Sequence, residues 1–143
     1  MLLVKTIVLP SPIANIGLFA DEDIKEGQIV WQYDSKTCIT LTEHQIDSFL
    51  KSFQKTNENM IHPFLEYGYY AKDLDSIIVC FDNGRYVNHA KSPNLTSNDW
   101  KMAQALRDIK KGEELTQRYD LYDSSAWFEN LHQKFNIWLP RYV

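Results

Sequence analysis

Two stretches determine how this chain is interpreted: Gly84-Arg-Tyr-Val-Asn-His-Ala-Lys-Ser-Pro-Asn94 and Ala105-Leu-Arg-Asp-Ile-Lys-Lys-Gly-Glu-Glu-Leu-Thr-Gln-Arg-Tyr119. The first places an Asn-His pair between apolar residues and a turn that contains proline. The second has the pattern of a strand, a Lys-Lys-Gly turn and another strand that ends in a tyrosine. Alone, each has an ordinary interpretation, since an Asn-His pair is most often a turn beside a solvated histidine and Lys-Gly-Glu is usually a plain hairpin turn. Their combination, in this order and at this spacing, is far more specific.

The two stretches together resemble the SET-domain family of protein lysine methyltransferases. The shared pattern is Arg-aromatic-apolar-Asn-His-x-x-x-Pro-Asn, followed by Arg-Asp-Ile-x-x-Gly-Glu-Glu-Leu-Thr-x-x-Tyr. A third segment, Ser11-Pro-Ile-Ala-Asn-Ile-Gly-Leu-Phe-Ala20, resembles the first cofactor-binding loop of this family. Only residues from about 32 to 82 lack such a signature, which agrees with a variable insert at about residues 34–80.

The resemblance implies a mainly β fold with some helix (β+α). This is the SET-domain β-clip fold, with several small sheets, a knot-like C-terminal core, one inserted helix and a C-terminal helix. A length of 143 residues suits one domain. We therefore expect a single SET domain over residues 1–143, with the core at 1–123 and a C-terminal helical segment at 124–143.

Local patterns predict where the strands and helices lie. Apolar and β-branched runs predict strands at residues 2–9, 17–20, 28–33, 77–81, 101–106 and 114–119. A helix is expected at residues 41–55, because Thr42 and Gln45 form a capping box at its start and Asn57-Glu-Asn59 follows its end. Its apolar stripe is Ile46, Phe49, Leu50 and Phe53. A second helical pattern starts at Ser125, with Phe128, Leu131, Phe135 and Trp138 as its apolar positions and Pro140 as its stop.

Residues 20–27 and 105–112 share one pattern, Ala-x-x-Asp-Ile-Lys-x-Gly. One interpretation of this weak similarity is an internal repeat. Two tight hairpins that use the same turn residues would also produce it, without any relation in space. The sequence leaves both interpretations open.

Composition limits the classes of function. Hydrophobic residues make up 44% of the chain and charged residues 24%, which is typical of a globular protein. A net charge of -4 provides no basic stripe for phosphates, so we expect no direct nucleic-acid binding. The same charge is compatible with basic peptide substrates.

The first apolar run is short, interrupted by Lys5 and followed by Pro10. It therefore predicts a strand and not a signal peptide or a membrane span. We expect no membrane partner, and a monomer or weak homodimer. The expected location is cytoplasmic, or the host nucleus for a viral or secreted effector.

The chain contains two cysteines, Cys38 and Cys80. They leave two alternatives, a disulfide or two buried free thiols, and a reducing compartment favours the thiols. No spacing suggests a thiolate metal site, which takes about four ligands, so we expect no metal. Many SET proteins carry a zinc-binding cysteine tail, and its lack here makes the sequence similar to the small bacterial or viral members.

The family's reaction indicates which residue types the site needs. A neutral lysine ε-amine attacks the methyl group on the sulfonium of S-adenosyl-L-methionine, which leaves S-adenosyl-L-homocysteine. Free lysine has a pKa near ~10.4, and a narrow apolar channel beside a cation lowers that pKa by desolvation and like-charge repulsion. Alignment supplies roughly 7–11 kcal/mol of such barriers. The site therefore needs aromatic walls and fixed dipoles more than acids and bases.

By resemblance, Tyr119 is the catalytic tyrosine, whose hydroxyl lies where the amine meets the methyl group. A phenol offers an oxygen in a fixed direction without a full charge, and a packed strand tyrosine is the ordinary alternative. The cofactor-binding residues that the resemblance implies are Asn15, Ile16, Gly17, Arg85, Tyr86, Asn88, His89, Tyr119 and Trp127. His89 alone would be taken for a satisfied core histidine. For Trp127, two interpretations are equally favoured: its ring stacks on adenine, or it packs in the core.

Two positions depart from the family pattern. Asn15 stands where the family has the first glycine of Gly-x-Gly. Asparagine tolerates positive φ better than other residues with side chains, so we expect the loop to keep its shape. Ala90 stands where serine is common, which removes one local hydrogen bond.

Aromatic residues for a lysine channel are Tyr67, Tyr69, Tyr70 and Tyr122, of which we expect Tyr70 and Tyr122 to line it. The number of methyl groups transferred is left open. We expect the substrate to be a lysine in a histone or another basic protein, bound as an added strand. The alternatives are a catalytically silent SET module that binds a peptide or partner, and an enzyme that acts on a ribosomal or other non-histone protein.

Overall fold

The computed structural model of the chain describes residues 1–52 and 59–137. Within these ranges the chain forms four small sheets and three α-helices. The strands are β1 (Thr6–Pro10), β2 (Ile16–Ala20), β3 (Ile29–Gln32), β4 (Cys38–Thr42), β5 (Tyr69–Ala71), β6 (Ser76–Cys80), β7 (Asn88–His89), β8 (Met102–Gln104) and β9 (Thr116–Gln117). The helices are α1 (Glu43–Ser52), α2 (His62–Tyr67) and α3 (Ala126–Lys134).

The sheets are small and mostly antiparallel. β1 pairs with β2, β3 pairs with β8, and β6 lies between β4 and β5. β7 and β9 form a short parallel pair, which brings the two stretches quoted first side by side. The predicted fold class, a mainly β chain of several small sheets with few helices, is therefore confirmed.

The central strand β6 organises the helical side of the molecule. All five of its residues are buried. Because side chains alternate across a strand, Ile77 and Val79 enter one apolar cluster, which includes Phe128 of α3, whereas Ile78 and Cys80 enter another. The continuous apolar run explains why the sequence predicts this strand well. Phe81, the last residue of the predicted strand, is exposed and lies outside it.

The sequence does not predict β4, α2 and β5. β4 ends at Thr42, so residues 41 and 42, which are expected in the helix, belong to a strand that pairs with β6. Pairing with a strand distant in sequence stabilises β4, and local propensity does not record such partners. α2 has six residues with a proline in its first turn, which is too short for a helical period to show.

The other predicted strands are present but differ in length. The strand expected at residues 2–9 forms at Thr6–Pro10, and the one expected at 101–106 is reduced to Met102–Gln104. The strand expected at 114–119 retains only Thr116–Gln117. These strands are shorter because each pairs with a short partner in a two-stranded sheet.

The predicted capping box starts α1. The Thr42 N–H donates to Gln45 Oε1 at 2.9 Å, and the Gln45 N–H donates to Thr42 Oγ1 at 3.2 Å. Ile46 is buried, and Phe49 and Leu50 pack on the same apolar cluster. Phe53 and the residues 57–58 of the expected helix end lie outside the described residues.

The C-terminal helix also begins as predicted. Ser125 Oγ accepts the Phe128 N–H at 3.3 Å and caps the first turn of α3. Trp138 and Pro140, which the sequence assigns to the end of this helix, lie outside the described residues. Across residues 1–52 and 59–137, none of the helices has the length and apolar character that crossing a membrane requires.

The two segments that share the Ala-x-x-Asp-Ile-Lys-x-Gly pattern bind each other. The Ile24 N–H donates to the Ile109 carbonyl and the Ile109 N–H donates to the Ile24 carbonyl, both at 2.8 Å. The Gly27 N–H donates to the carbonyl of residue 105 at 2.8 Å, and the Gly112 N–H donates to the carbonyl of residue 20 at 2.7 Å. The bonds are reciprocal, so the repeat is an approximate two-fold pair of turns and not two unrelated hairpins.

The aspartate of each turn caps the other turn. Asp23 accepts the backbone N–H of Lys111 at 3.0 Å, and Asp108 accepts the backbone N–H of Glu26 at 2.9 Å. Hydrogen bonds from these backbone groups lower the pKa of both aspartates. This turn pair links the start of the chain, just after β2, to the segment that leads into β9.

Replacement of Gly112 by alanine should destabilise the fold by about 1–2 kcal/mol, because a residue with a Cβ pays this cost for positive φ. Gly112 has φ +91, and no atom of the described residues lies within 4 Å of an added Cβ, so the penalty is conformational and not steric. The measurement is the free energy of unfolding in urea. Gly112→Asn is the matched control and should cost less than alanine, since asparagine tolerates positive φ. Equal stability of the alanine variant and the wild-type chain would contradict this assignment.

Candidate active site

The segment that ends in Tyr119 is bonded directly to the Asn-His segment. β9 runs parallel to β7, with Asn88 opposite Thr116 and His89 opposite Gln117. Beyond the strand, the Tyr119 N–H donates to His89 Nδ1 at 3.1 Å. The Tyr119 hydroxyl donates to the carbonyl oxygen of Val87. Both the backbone and the phenol of Tyr119 are therefore fixed to one loop.

Residues 94–97 hold the same two segments together on their far side. The buried Asn94 donates from Nδ2 to the Glu114 carbonyl at 2.8 Å and accepts the Thr116 N–H at 2.9 Å. Ser97 Oγ accepts the Arg118 N–H at 2.7 Å. Side chains here replace strand pairing, which explains why β9 is so short although the whole segment is ordered.

A cavity of about 510 Å³ adjoins these segments. The predicted site residues that line it are Asn15, Ile16, Tyr70, Arg85, Tyr86, Asn88, Tyr119 and Tyr122. Gly17, His89 and Trp127 are not among its lining residues within the described chain. The fold thus brings most of the candidate residues together around one cavity.

The first loop reaches the cavity through a close approach at Gly17. A Cβ on Gly17 would lie 2.2 Å from Glu114 Oε1 and 3.0 Å from Asn88 Nδ2, so no other residue fits without movement. The Asn88 side chain donates to the Ile16 carbonyl at 2.8 Å. Asn15 has no positive φ, so its replacement of a family glycine needs no special backbone conformation.

Arg85 presents a donor to the cavity wall. Its guanidinium lies over the rings of Tyr86, at 4.8 Å, and Tyr67, at 5.8 Å, and Nη2 donates to the Tyr86 hydroxyl at 2.9 Å. Its Nε is buried and has no hydrogen-bond partner among the described residues. A buried donor without a partner is costly, so this atom fits a ligand that brings an acceptor.

His89 is committed to Tyr119 by its side chain. Besides accepting the Tyr119 N–H, its ring packs on the Tyr119 ring with 5.6 Å between centroids. The acceptor at Nδ1 must be unprotonated, which places the proton of the neutral ring on Nε2. His89 thus orients the tyrosine, and its expected contact with the cofactor stays a prediction.

Trp127 is partly buried and packs against the apolar cluster that contains Phe128. Its ring packs edge-on against Tyr70 and Phe128, and its Nε1 donates to Asp75 Oδ1 at 2.9 Å. The neighbouring Phe128 lines the cavity instead, together with His132 of the same helix. These contacts are packing contacts, and the expected stacking of Trp127 on adenine stays a prediction. Sequence spacing alone does not distinguish adjacent aromatic residues on a helix.

The hydroxyls of both expected channel tyrosines are hydrogen-bonded. Tyr122 stacks on Tyr119 with 5.3 Å between ring centroids, and its hydroxyl donates to Gln117 Oε1 at 2.6 Å. The Tyr70 hydroxyl donates to Asp75 Oδ1 at 2.6 Å. Burial raises the pKa of Tyr119 and Tyr122 well above the ordinary value of a phenol. Both rings are therefore neutral at physiological pH.

Sequence reasoning misses part of the aromatic wall. Trp31 and Trp100 line the cavity, as do Tyr67 and Tyr69, two of the four tyrosines considered for the channel. Tyr69 packs edge-on against Trp31, with 6.3 Å between centroids, and its hydroxyl donates to the Trp100 carbonyl at 3.0 Å. Trp31 and Trp100 come from distant segments with no shared motif, so no spacing in the sequence associates them.

A family model described as SET domain matches residues 15–120. This chain belongs to the SET-domain family. The matched range contains the first loop from Asn15 onward, the Asn-His segment and Tyr119, which contribute residues to the cavity wall. The SET-domain resemblance of the sequence and the architecture of the fold therefore agree.

This SET domain is similar to parts of much longer proteins. It is 28% identical over 116 residues to the variant-silencing SET domain-containing protein of Plasmodium falciparum, covering 72% of this chain and 4% of that protein. It is 25% identical over 129 residues to the H3 lysine-36 specific histone-lysine N-methyltransferase of Candida albicans, covering 82% of this chain and 14% of that protein. The chain thus spans a small fraction of the length of these relatives.

A solved structure supports the fold of the SET domain. Chaetomium thermophilum Polycomb Repressive Complex 2, in an autoinhibited conformation bound to S-adenosylmethionine, matches with a TM-score of 0.63 and 24% identity. The match covers 93% of this chain and 17% of that chain.

Replacement of Gly17 by alanine should destabilise this SET domain by about 1–3 kcal/mol, the cost of one or two lost hydrogen bonds to a charged group. The new methyl group would displace the Glu114 carboxylate from Ser11 and Asn88, its present partners. Urea unfolding of Gly17→Ala, Glu114→Ala and the double variant is the measurement. The double variant should be more stable than the sum of the single effects implies, because the clash is gone. Strict additivity would contradict the steric account.

Proposed function

We propose that this SET domain transfers a methyl group from S-adenosyl-L-methionine to the ε-amine of a lysine in a protein substrate. The observation that carries the proposal is the arrangement of Tyr119: its phenol lies at the junction of the Asn88 loop and an aromatic-lined cavity. Membership of the SET family supports it, as do the histone-lysine N-methyltransferase relative and the solved relative bound to S-adenosylmethionine.

The residues around the cavity fit this cofactor. Arg85 has a buried donor that needs an acceptor, which the carboxylate of the cofactor's methionine moiety provides. Asn15 and Ile16 line the cavity, and Asn88 fixes the Ile16 carbonyl. When bound, S-adenosyl-L-methionine supplies an electrophilic methyl group on a positively charged sulfur. These chain segments bind and orient that group beside Tyr119.

The aromatic wall suits the lysine. Rings of Tyr122, Tyr69 and Trp100 present apolar faces that accommodate an aliphatic stem and a cationic tip. Exclusion of water by these rings favours the neutral amine, because burial disfavours a charged ammonium. The wall therefore binds the lysine and assists its deprotonation without a dedicated base.

Tyr119 orients the amine. Its O–H is donated to a backbone carbonyl of the Asn88 loop, so the lone pairs of the phenol oxygen remain as acceptors. An oxygen fixed in this way accepts a hydrogen bond from the amine and aims the nitrogen lone pair at the methyl group. The raised pKa keeps the phenol neutral, so Tyr119 acts as a fixed dipole and not as an anionic base.

A catalytically silent SET module is the alternative. The two departures from the family pattern, Asn15 and Ala90, motivate it, although Asn15 needs no unusual backbone conformation here. A silent module would show no binding of S-adenosylmethionine, or binding without transfer. For the substrate, we propose a histone or another basic protein, as the histone-lysine N-methyltransferase relative suggests.

Wild-type protein should bind S-adenosylmethionine in a calorimeter and transfer a labelled methyl group to lysine peptides on an array. Tyr119→Phe should lower the rate of transfer by about 10²–10³-fold, the usual effect of removing one preorganised dipole. Its affinity for the cofactor should stay close to that of the wild type, because Phe keeps the ring contacts with His89 and Tyr122.

Tyr33→Phe is a matched control, because it also removes one phenol hydroxyl and keeps the ring. The Tyr33 ring packs against Trp100, and Tyr33 is not among the described residues that line the cavity. It should transfer at the wild-type rate. Full activity of Tyr119→Phe would remove this residue from the mechanism, and a wild-type chain that neither binds nor transfers would support the silent module.

The rate of transfer should rise with pH from about 7 to 9.5, because a substrate lysine with an ordinary pKa near ~10.4 becomes progressively deprotonated. Burial raises the pKa of Tyr119, so this phenol does not ionise in that range and should add no inflection. The pH profile of Tyr119→Phe should therefore have the same shape at a lower amplitude. An inflection in this pH range that is present in the wild-type profile and absent from the Phe variant would show instead that Tyr119 itself titrates.

A further inference from the structure

The Glu114 carboxylate joins the first loop to the Asn88 loop from behind the cavity. Its Oε1 accepts from Ser11 Oγ at 2.8 Å and from Asn88 Nδ2 at 2.7 Å, and its Oε2 lies 3.0 Å from Ser11 Oγ. Glu114 is not among the described residues that line the cavity. Any influence on a bound ligand must therefore pass through its two partners.

Both partners transmit the constraint to the loop. Ser11 Oγ accepts the N–H groups of Ile13, at 2.9 Å, and Ala14, at 3.3 Å. Asn88 Nδ2 donates to the Ile16 carbonyl at 2.8 Å. The loop is thus fixed at both ends, and its residues between them, from Ala14 to Ile16, form part of the cavity wall.

The strand behind the loop is shaped to admit this carboxylate. The Cβ position of Gly17 would lie 2.2 Å from Glu114 Oε1, so only glycine allows the carboxylate its present place. The backbone of Glu114 bridges to Phe19 two residues further along β2. The Glu114 carboxylate therefore bonds the start of the loop directly and its end through Asn88, and it lies against the following strand at Gly17.

We propose that Glu114 is a positioning residue for the cofactor. Its carboxylate preorganises residues 11–16 against Asn88, so that the loop loses little conformational entropy when S-adenosylmethionine binds. This inference rests on the proposed function. Charge is part of the device, because hydrogen bonds to a carboxylate are stronger than those to a neutral acceptor. Glutamine keeps the shape of the side chain but offers a single acceptor oxygen.

The chain supplies a matched control in the adjacent residue. Glu113 is also a half-buried glutamate, but its carboxylate binds Arg107 Nη2 at 2.8 Å and the Lys110 N–H at 2.6 Å, within the turn. Glu113→Gln therefore removes the same charge, one residue away, without touching Ser11 or Asn88. It separates an effect of net charge from an effect of loop position.

The test measures the dissociation constant of S-adenosylmethionine by calorimetry. Glu114→Ala should raise it about tenfold, the effect of losing a hydrogen-bonded charged group, and Glu114→Gln should raise it by less. Glu113→Gln should stay within about twofold of wild type, because surface ion pairs contribute little. In the transfer assay, the KM for the cofactor should rise in the Glu114 variants while the KM for the peptide stays unchanged. A general loss of folded protein would instead lower kcat and leave both KM values unaltered.

A second variant reaches the same link from its other end. Ser11→Ala should also raise the dissociation constant, and it should add little in the Glu114→Ala background because the link is already broken. Amide exchange of Ile13 and Ala14 in the protein without cofactor should accelerate in Glu114→Ala and Ser11→Ala but not in Glu113→Gln. If Glu114→Ala does not fold, Glu114→Gln provides the same comparison.

Two failures are distinguishable. If wild-type protein binds the cofactor and transfers methyl groups, but the Glu114 variants bind equally well, the positioning role is wrong and the proposed function stands. Full additivity of Ser11→Ala and Glu114→Ala would also overturn the positioning role. If the wild-type chain itself does not bind S-adenosylmethionine, the proposed function fails and this inference fails with it.

Discussion

The side-by-side packing of residues 88–97 and 114–119 holds the candidate site together. One parallel strand pair of two residues each, a buried Asn94 and the hydroxyl of Ser97 bond the two segments. A parallel pair of two residues is weak alone, since isolated strands of this length gain little from pairing. Side-chain hydrogen bonds supply the rest of the stabilisation between the two segments, and two of the bonds between them fix Tyr119.

The rest of the fold delivers these segments to one another. The reciprocal turn pair fixes the chain just before Glu114 against the chain just after β2, so the first loop arrives beside Asn88. On the other side, β6 and α3 pack in one apolar cluster that includes Tyr70 and Phe128, and these two residues also line the cavity. The site is thus built from three loops on small sheets, each aligned by hydrogen bonds rather than by a large β-sheet.

Sequence patterns identify what local chemistry encodes. The capping box at Thr42, the helix start at Ser125, the buried run at Ile77 and the Asn88 and Tyr119 motifs are all recognisable because their residue types are required at fixed spacings. β4 depends on a partner far along the chain, and Trp31 and Trp100 line one cavity only because the fold brings their segments together, so no periodicity in the sequence predicts them. Trp127 and Phe128 pack on the same apolar cluster, but only Phe128 lines the cavity, which depends on the rotation of α3 and not on residue type.

The most direct measurement is a crystal structure of the chain with S-adenosyl-L-homocysteine and a lysine peptide. The proposed function predicts the homocysteine carboxylate at Arg85, the ligand against Asn15 and Ile16, and its sulfur and the lysine nitrogen on opposite sides of the Tyr119 hydroxyl. The lysine stem should lie among the rings of Tyr69 and Tyr122. A ligand bound elsewhere, or a cavity closed to both molecules, would contradict the assignment of this site to methyl transfer.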